Sequence, residues 1–258
     1  MKLQIHTQLD YSFTEATDIV LQVEAAPLPD QQIEDAYIAI SPTAAFARVE
    51  GHDGIGDRLV LQVENRLTLD YTATVTVNRA ASDYASLSAG PLHSLPGGVL
   101  DYLAASRFCP SDLFGTVAET EFAGLTGGAR VVAIRDWIGH YLSYVAGSST
   151  EHTTAMDTFV ARQGVCRDFA HLMITLARAS EIPARFASVY GLGVTPQDFH
   201  AVAEVFLGGE WHLVDPTGMA EPSSIIRIGA GRDAADVPFL SSFGFATFIG
   251  QSVEVWEV

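Results

Sequence analysis

A single cysteine follows a glycine turn at the start of a predicted helix, in the stretch Arg162-Gln163-Gly164-Val165-Cys166-Arg167-Asp168-Phe169-Ala170-His171-Leu172. Apolar residues recur at helical spacing over about residues 165–180, and Ile182-Pro183 then ends the pattern. The first backbone N–H groups of a helix lack partners within it, and the helix dipole is positive at that end. A thiol placed there is biased toward thiolate, the nucleophilic form, so Cys166 is a candidate nucleophile.

Two predicted strands after this helix carry a histidine and an aspartate. His200 opens the strand over residues 200–207, and Asp215 directly follows the strand over residues 210–214. Gly208-Gly209 between them indicates a tight turn, which makes the two strands antiparallel neighbours. The start of the first strand then lies beside the end of the second. His200 and Asp215 can therefore form the pair of a base and the carboxylate that orients it.

Each of these residues also has a simpler interpretation. Cys166 could be a small buried core residue, since free cysteines are often inert. His200 could be a solvated residue at a strand start, and Asp215 a turn residue before proline. His212 is a second candidate base, although its carboxylate partner would have to come from elsewhere. Position and spacing alone leave these alternatives open.

The rest of the chain divides into a strand-rich part and a mixed part. Alternating apolar residues, with turn residues at roughly ten-residue spacing, predict an antiparallel β-sandwich over residues 1–80. Residues 81–98 are rich in Ser, Ala, Gly and Pro and are predicted to be a linker. Helical patterns, one of them over residues 129–145, and then an antiparallel sheet are predicted within residues 99–258. This order of elements predicts the α+β class.

Composition and charge exclude several kinds of partner. The chain has 258 residues, of which 48% are hydrophobic, and a net charge of −17 that repels phosphate, so nucleic acid and anionic membranes are not expected to bind. Cys109 and Cys166 are expected to be reduced thiols of a cytoplasmic protein, because no signal-peptide pattern is present. The histidines and acids form no metal-binding motif, so neither a metal nor a cofactor is predicted. The oligomeric state is not indicated.

These segments resemble the transglutaminase-like superfamily, and in particular its bacterial cysteine peptidases with an N-terminal β-sandwich domain. The resemblance lies in residues 162–172, 181–185, 199–201, 204–205, 209–211, 215–217 and 106–112. It implies a core of the kind found in papain and the transglutaminases, in which a helix-borne cysteine packs on an antiparallel sheet.

The resemblance also implies roles for the three residues: Cys166 as nucleophile, His200 as general base and acid, and Asp215 as the orienting carboxylate. The implied reaction is cleavage of an amide or peptide bond in a peptide or protein through a thioester, with hydrolysis favoured. Protein-glutamine transamidation and a non-catalytic binding module that keeps the fold are the alternatives. The backbone N–H of Cys166 is the expected first oxyanion donor, and Gln163 and Tyr190 are candidates for the second.

Overall fold

The structure is a computed structural model that describes residues 1–80 and 83–258. In these residues the chain forms three four-stranded antiparallel sheets, one two-stranded parallel pair and five α-helices, which confirms the predicted α+β class. Residues 81–82, at the start of the predicted linker, lie outside the described residues.

Along the sequence, the helices of the described residues come after one group of strands and before another. The strands are β1 (Lys2–Phe13), β2 (Thr17–Leu21), β3 (Gln31–Ile40), β4 (Ala45–Glu50), β5 (Asp57–Val63), β6 (Arg66–Val77), β7 (Ser143–Tyr144), β8 (Gln163–Gly164), β9 (Ala184–Gly191), β10 (His200–Leu207), β11 (Glu210–Val214), β12 (Ile225–Gly231), β13 (Leu240–Ser242) and β14 (Ala246–Glu257). The helices are α1 (Gly97–Leu100), α2 (Gly115–Glu121), α3 (Gly127–Tyr141), α4 (Ala155–Ala161) and α5 (Cys166–Ala179). The cysteine-bearing helix α5 and the strands β10 and β11 thus have bounds close to those predicted.

Two of the four-stranded sheets contain the N-terminal strands and share one hydrophobic core. Their strand orders are β14-β1-β6-β3 and β13-β2-β5-β4. Every second side chain of β1 and β6 is buried, as the alternating sequence predicts for strands with one face on a core. Leu3 and Ile5 of β1 belong to the same buried cluster as Leu59 and Leu61 of β5. The two sheets therefore pack with their apolar faces together.

The last two strands of the chain join these N-terminal sheets. β14 pairs antiparallel with β1, with Leu3 opposite Glu257, and β13 pairs antiparallel with β2. The sequence patterns of these two strands do not indicate these partners. The physical reason is that an alternating pattern identifies a strand and its buried face but contains no information about its partner.

The third sheet, in the order β11-β10-β9-β12, supports the cysteine-bearing helix. β10 and β11 form the antiparallel hairpin predicted from Gly208-Gly209, with Leu207 opposite Glu210. α5 packs on β9 and β10 on one side and against α3 and α4 on the other. Because it is enclosed in this way, all of its residues from Asp168 to Arg178 are buried. The helix is a central element of the core, whereas a single apolar stripe was predicted.

A buried ionic network joins the third sheet to the N-terminal strands. Glu204 of β10 is fully buried and accepts hydrogen bonds from Arg185 at 2.7 Å and from Arg227 at 2.8 Å. Arg227 also forms an ion pair with Asp30, which precedes β3. Because a buried carboxylate needs such partners, the network ties β9, β10 and β12 to the N-terminal part of the chain.

Candidate active site

Cys166 is the first residue of α5, and its side chain is half-buried. The Asp168 carboxylate accepts a hydrogen bond from the backbone N–H of Val165 at 2.8 Å and so closes the start of the helix. A Cβ atom on Gly164 would lie 2.6 Å from the Cβ of Asp168, so this contact requires glycine. The left-handed turn before it belongs to Arg162, with φ 56°. Gly164 is therefore needed for a close approach, and the predicted sharp turn lies two residues earlier.

His200 connects Cys166 to Asp215. Its Nε2 atom lies 2.9 Å from Oδ2 of Asp215, and the Cys166 side chain lies close enough to the His200 ring to raise its pKa. The side chains of His200 and Asp215 are only 1% and 2% exposed, so bulk water does not compete for their contact. The structure brings the three predicted residues together in one cluster.

The surroundings of His200 favour its charged form. Burial alone would lower the pKa of His200, but hydrogen bonds to Asp215 and Cys166 and their charges outweigh burial and raise this pKa to about 9. Burial would conversely raise the pKa of Asp215, but the hydrogen bond and charge of His200, with hydrogen bonds from Thr217, hold it below its ordinary value. At neutral pH the site therefore holds an ionised Asp215 beside a protonated His200.

Asp215 is fixed by the residues that follow it. Its Oδ1 atom accepts hydrogen bonds from the backbone N–H of Thr217 at 2.9 Å and from the Thr217 hydroxyl at 2.6 Å. Its Oδ2 atom accepts a hydrogen bond from the backbone N–H of Ala220 at 3.0 Å, in addition to the contact with His200. Asp215 thus serves as a turn residue and as the partner of His200, and the turn orients the carboxylate that in turn orients the imidazole.

Tyr144 is a site residue that the sequence analysis missed. The helix predicted over residues 129–145 ends at Tyr141, and β7 pairs in parallel with β8, with Tyr144 opposite Gly164. This pairing brings the Tyr144 hydroxyl against the side chain and the backbone N–H of Cys166. Partial burial, together with the charge of Cys166, raises the pKa of Tyr144 to about 12, so its hydroxyl keeps its proton at neutral pH.

The other predicted candidates have different surroundings. Nε2 of His212 forms a hydrogen bond with the carbonyl oxygen of Leu207 at 3.1 Å, so this competing base has a different partner. The hydroxyl of Tyr190 donates to the carbonyl oxygen of Val23 at 2.6 Å inside the N-terminal core, which removes it as an oxyanion donor. The side chain of Gln163 is exposed on β8.

A cleft of about 740 Å³ opens on Cys166 and His200. The lining includes Phe186 and Ser188 of the third sheet and Phe199, which precedes β10 and whose ring stacks on that of Phe239 with 4.7 Å between centroids. It also includes all of β13 and Gln251 of β14. The volume is within the range of small-molecule and peptide sites. The cleft therefore lies between the cysteine-bearing core and the sheets formed by the N-terminal strands.

Metal-ligand clusters and membrane-spanning helices are both absent from the described part of the chain. Within residues 1–80 and 83–258, no group of three or more His, Cys, Asp or Glu side chains is placed to hold a metal ion. The helices of the same residues are all too short or too polar to cross a membrane.

Comparison with known proteins adds a family to this geometry. The profile of the transglutaminase-like superfamily matches residues 118–216, a segment that contains Cys166, His200 and Asp215. A solved structure of a candidate cysteine protease from Cytophaga hutchinsonii matches nearly the whole chain, with 34% sequence identity and a TM-score of 0.92 over 99% of this chain and 90% of that one. The similarity thus includes the N-terminal sheets as well as the cysteine-bearing core.

Two mycobacterial proteins match a shorter segment. An uncharacterized protein of Mycobacterium leprae is 35% identical over 116 residues, which are 42% of this chain and 41% of that protein. An uncharacterized protein of Mycobacterium tuberculosis is 35% identical over 115 residues, which are 37% of this chain and 35% of that protein. The chain spans less than half the length of these two relatives. By its match along almost the whole of a solved structure, and by its superfamily segment, the chain belongs to the transglutaminase-like superfamily.

Proposed function

We propose that the protein is a cysteine-dependent acyl-transfer enzyme that cleaves an amide or peptide bond in a peptide or protein through a thioester intermediate. The observation that carries this proposal is the position of His200, which lies against Cys166 in the cleft and is hydrogen-bonded to Asp215. This arrangement is the one that nucleophilic catalysis requires: a nucleophile, a base within hydrogen-bond reach, and a group that orients the base.

The first half of the reaction forms the thioester. The Cys166 thiolate attacks the amide carbonyl carbon, a C–S bond forms, and the carbonyl electron pair moves to oxygen. His200 uses Nε2 to bond Asp215, so its Nδ1 atom is the one that serves the thiol and the substrate. When the C–N bond breaks, the imidazolium gives its Nδ1 proton to the leaving amine.

The second half releases the product. His200, now neutral, takes a proton from water, and the resulting hydroxide attacks the thioester carbonyl. The C–S bond breaks, and a carboxylic acid and the Cys166 thiolate leave the second tetrahedral intermediate. Asp215 stays ionised throughout and holds the imidazole in the orientation that both proton transfers need.

Tyr144 and the backbone N–H of Cys166 are our two proposed oxyanion donors. The Cys166 N–H, at the start of α5, has no acceptor within the helix, and the helix dipole there also favours negative charge. The Tyr144 hydroxyl lies against this N–H and against the thiol, and its high pKa keeps it a donor at neutral pH. A carbonyl oxygen that becomes negative during attack on the thiol would therefore lie between two donors.

The Tyr144→Phe variant is expected to lower kcat by about 10²–10³-fold, the usual effect of removing one oxyanion donor. Phenylalanine keeps the ring that packs near Phe169 and removes only the hydroxyl, so the fold and the substrate affinity should change little. Steady-state kinetics on a cleaved peptide would separate kcat from KM. A variant with unchanged kcat would show that Tyr144 is not a donor, and a raised KM alone would place it in substrate binding.

The pH at which His200 loses its proton provides a second test of the proposed site. In the native protein we expect the His200 ring to titrate near pH 9, so it is protonated below that pH and loses its proton above it. Because Cys166 is one of the groups that raise this pKa, the titration in a Cys166→Ala variant should move to lower pH. Two-dimensional NMR of the histidine ring signals would measure both midpoints, with His200→Gln used for assignment. A native midpoint near the ordinary histidine pKa of about 6.5 would contradict the proposed ion pair between protonated His200 and ionised Asp215.

Product analysis would test the proposed reaction and separate hydrolysis from transamidation. The active protein would be incubated with a diverse peptide pool in H₂¹⁸O containing a labelled primary amine, and the products read by mass spectrometry. We expect ¹⁸O in a newly formed carboxyl group. Incorporation of the amine in its place would identify a transamidase, and the absence of any product, with both thiols slow to alkylate, would favour a binding module.

We also propose a reducing compartment such as the cytoplasm, since the described Cys109 and Cys166 are both free thiols.

A further inference from the structure

The short strand β13 forms an open edge along the cleft. In its sheet the strand order is β13-β2-β5-β4, so within residues 1–80 and 83–258 β13 pairs with β2 on one side and with no strand on the other. Leu240, Ser241 and Ser242, which are all of β13, line the cleft that contains Cys166 and His200. The preceding residues Val237–Phe239 line it as well. The free edge thus belongs to the same cleft as the proposed nucleophile.

The register of β13 shows which main-chain groups point to the free side. Phe239 accepts a hydrogen bond from the N–H of Gln22 at 3.0 Å, and Phe243 donates its N–H to the carbonyl oxygen of Asp18 at 3.0 Å. In an antiparallel pair the main-chain groups of alternate residues point to opposite sides. Residues 239, 241 and 243 therefore face β2, and the N–H and C=O groups of Leu240 and Ser242 face the open edge.

This edge lacks the charges that protect the other sheet edges. The six edge strands of the three four-stranded sheets in the described residues are β3, β4, β11, β12, β13 and β14. Each of the others contains at least one charged residue, whereas β13 contains none. Charged side chains on an edge prevent another chain from pairing with it. Among these strands, β13 is therefore the one whose composition permits an added strand.

Two exposed aromatic side chains lie next to the same edge. Phe243 and Phe245, directly after β13, are 76% and 71% exposed, although large apolar side chains are usually buried. Exposed apolar residues that adjoin a cleft often mark a binding surface. In a chain with a net charge of −17, such a surface suits an uncharged or basic apolar segment better than an acidic one.

We propose that an extended, apolar segment of the substrate polypeptide pairs with the free edge of β13 and enters the cleft as an added strand. This inference rests on the proposed function and specifies its substrate class as an unfolded or linker segment of a protein. Main-chain hydrogen bonds to Leu240 and Ser242 would hold the segment largely independently of its sequence, and Phe243 and Phe245 would select apolar side chains. Because Cys166 lines the same cleft, a segment held on this edge lies in the space where an amide bond must be presented to the thiol.

The test removes one outward N–H and leaves the inward pairing intact. In Ser242→Pro the ring replaces the N–H that faces the free edge, a position at which proline is compatible with a strand. Ser242→Ala is the matched control, because it removes the hydroxyl that donates to the carbonyl oxygen of Gly244 and keeps the N–H. Both changes would be made in the Cys166→Ala protein, and binding of fluorescent, dephosphorylated β-casein would be measured by anisotropy. We expect Ser242→Pro to weaken binding about fivefold, as for one main-chain hydrogen bond, and Ser242→Ala to leave it unchanged.

A second measurement needs no change to the protein. The casein peptide that competes best would be resynthesised with one backbone amide methylated at a time. An added strand uses every second N–H of the peptide, so we expect affinity losses to recur with a period of two residues. Equal losses at all positions, or none, would overturn the proposal even if Ser242→Pro failed to fold.

The outcomes separate this inference from the proposed function. If Ser242→Pro, with Cys166 restored, keeps rapid iodoacetamide labelling of that thiol and full affinity for casein, the strand pairing is wrong and the catalytic proposal stands. If casein binds with the period-two pattern but no peptide is ever cleaved, the pairing stands and the catalytic proposal fails. Sedimentation velocity would detect the other possible occupant, a second copy of this chain. A dimer that dissociates in Ser242→Pro but persists in Ser242→Ala would overturn the assignment of the edge to substrate.

Discussion

The Cys166→Ala variant is expected to lose all measurable turnover, because the thioester cannot form without Sγ. Alanine keeps the Cβ atom and has the highest helix propensity, so α5 should still begin at this residue. The loss would therefore come from chemistry and not from unfolding. Product formation from peptides found in the pool experiment would be measured by mass spectrometry, with near-ultraviolet circular dichroism as the check on folding.

Cys109 provides the matched control for this result. It is completely buried, and burial raises the pKa of its thiol to about 12, so it cannot supply a thiolate near neutral pH. We expect Cys109→Ala to keep its turnover and native Cys166 to react with iodoacetamide far faster than Cys109. Turnover that survives in Cys166→Ala would rule out the nucleophile assignment. Equal, slow alkylation of both thiols would favour a binding module.

The elements that carry the proposed triad were predictable because their signals are local. β10 and β11 have the bounds read from the sequence, and the glycine pair between them determines their hairpin. α5 begins within one residue of its predicted start. The hairpin places His200 beside Asp215. Once the helix is also known, few packing arrangements remain, and one of them brings Cys166 to this pair. The site could therefore be proposed from spacing, turn chemistry and helix position, supported by the resemblance to a family.

The sheet partners of the C-terminal strands could not be predicted in this way. β14 pairs with β1 although almost the whole chain separates them, and β13 pairs with β2. No local pattern encodes such a pairing, since any strand with the same alternation could cover the open edge of β1. This pairing matters for the proposed site, because all of β13 and Gln251 of β14 line the cleft.

Tyr144 and Glu204 were missed for opposite reasons. Tyr144 follows an apolar pattern that continues the spacing of α3, so the end of the helix at Tyr141 was hidden in the sequence. Glu204 lies in a strand of apolar residues and reads as a solvent-facing position, yet it is completely buried. Its burial depends on Arg185 and Arg227, which converge on it from the two strands β9 and β12. Both features arise from contacts between elements and not from the elements themselves.

The Asp215→Asn variant is expected to lower kcat on the order of 10⁴-fold, if the triad behaves like that of the serine proteases. The hydrogen bonds from Thr217 would keep the amide oxygen at the position of Oδ1. The amide NH₂ group would then replace Oδ2 and face both His200 and the N–H of Ala220. A donor facing Nε2 forces the neutral imidazole to carry its proton on Nδ1, and this tautomer cannot accept the proton of the Cys166 thiol.

Thr217→Ala separates this effect from a general loosening of the turn. It keeps the carboxylate and its contact with His200 and removes only the hydroxyl hydrogen bond to Oδ1, so a loss of less than about tenfold is expected, as for one neutral hydrogen bond. The comparison would use kcat on a cleaved peptide, with thermal unfolding as the check on stability. In Asp215→Asn the His200 ring should also titrate at lower pH, since the carboxylate is one of the groups that raise its pKa to about 9. If both variants lost similar activity and the titration stayed near pH 9, Asp215 would be a structural residue of the turn, and the orienting group would have to be sought elsewhere.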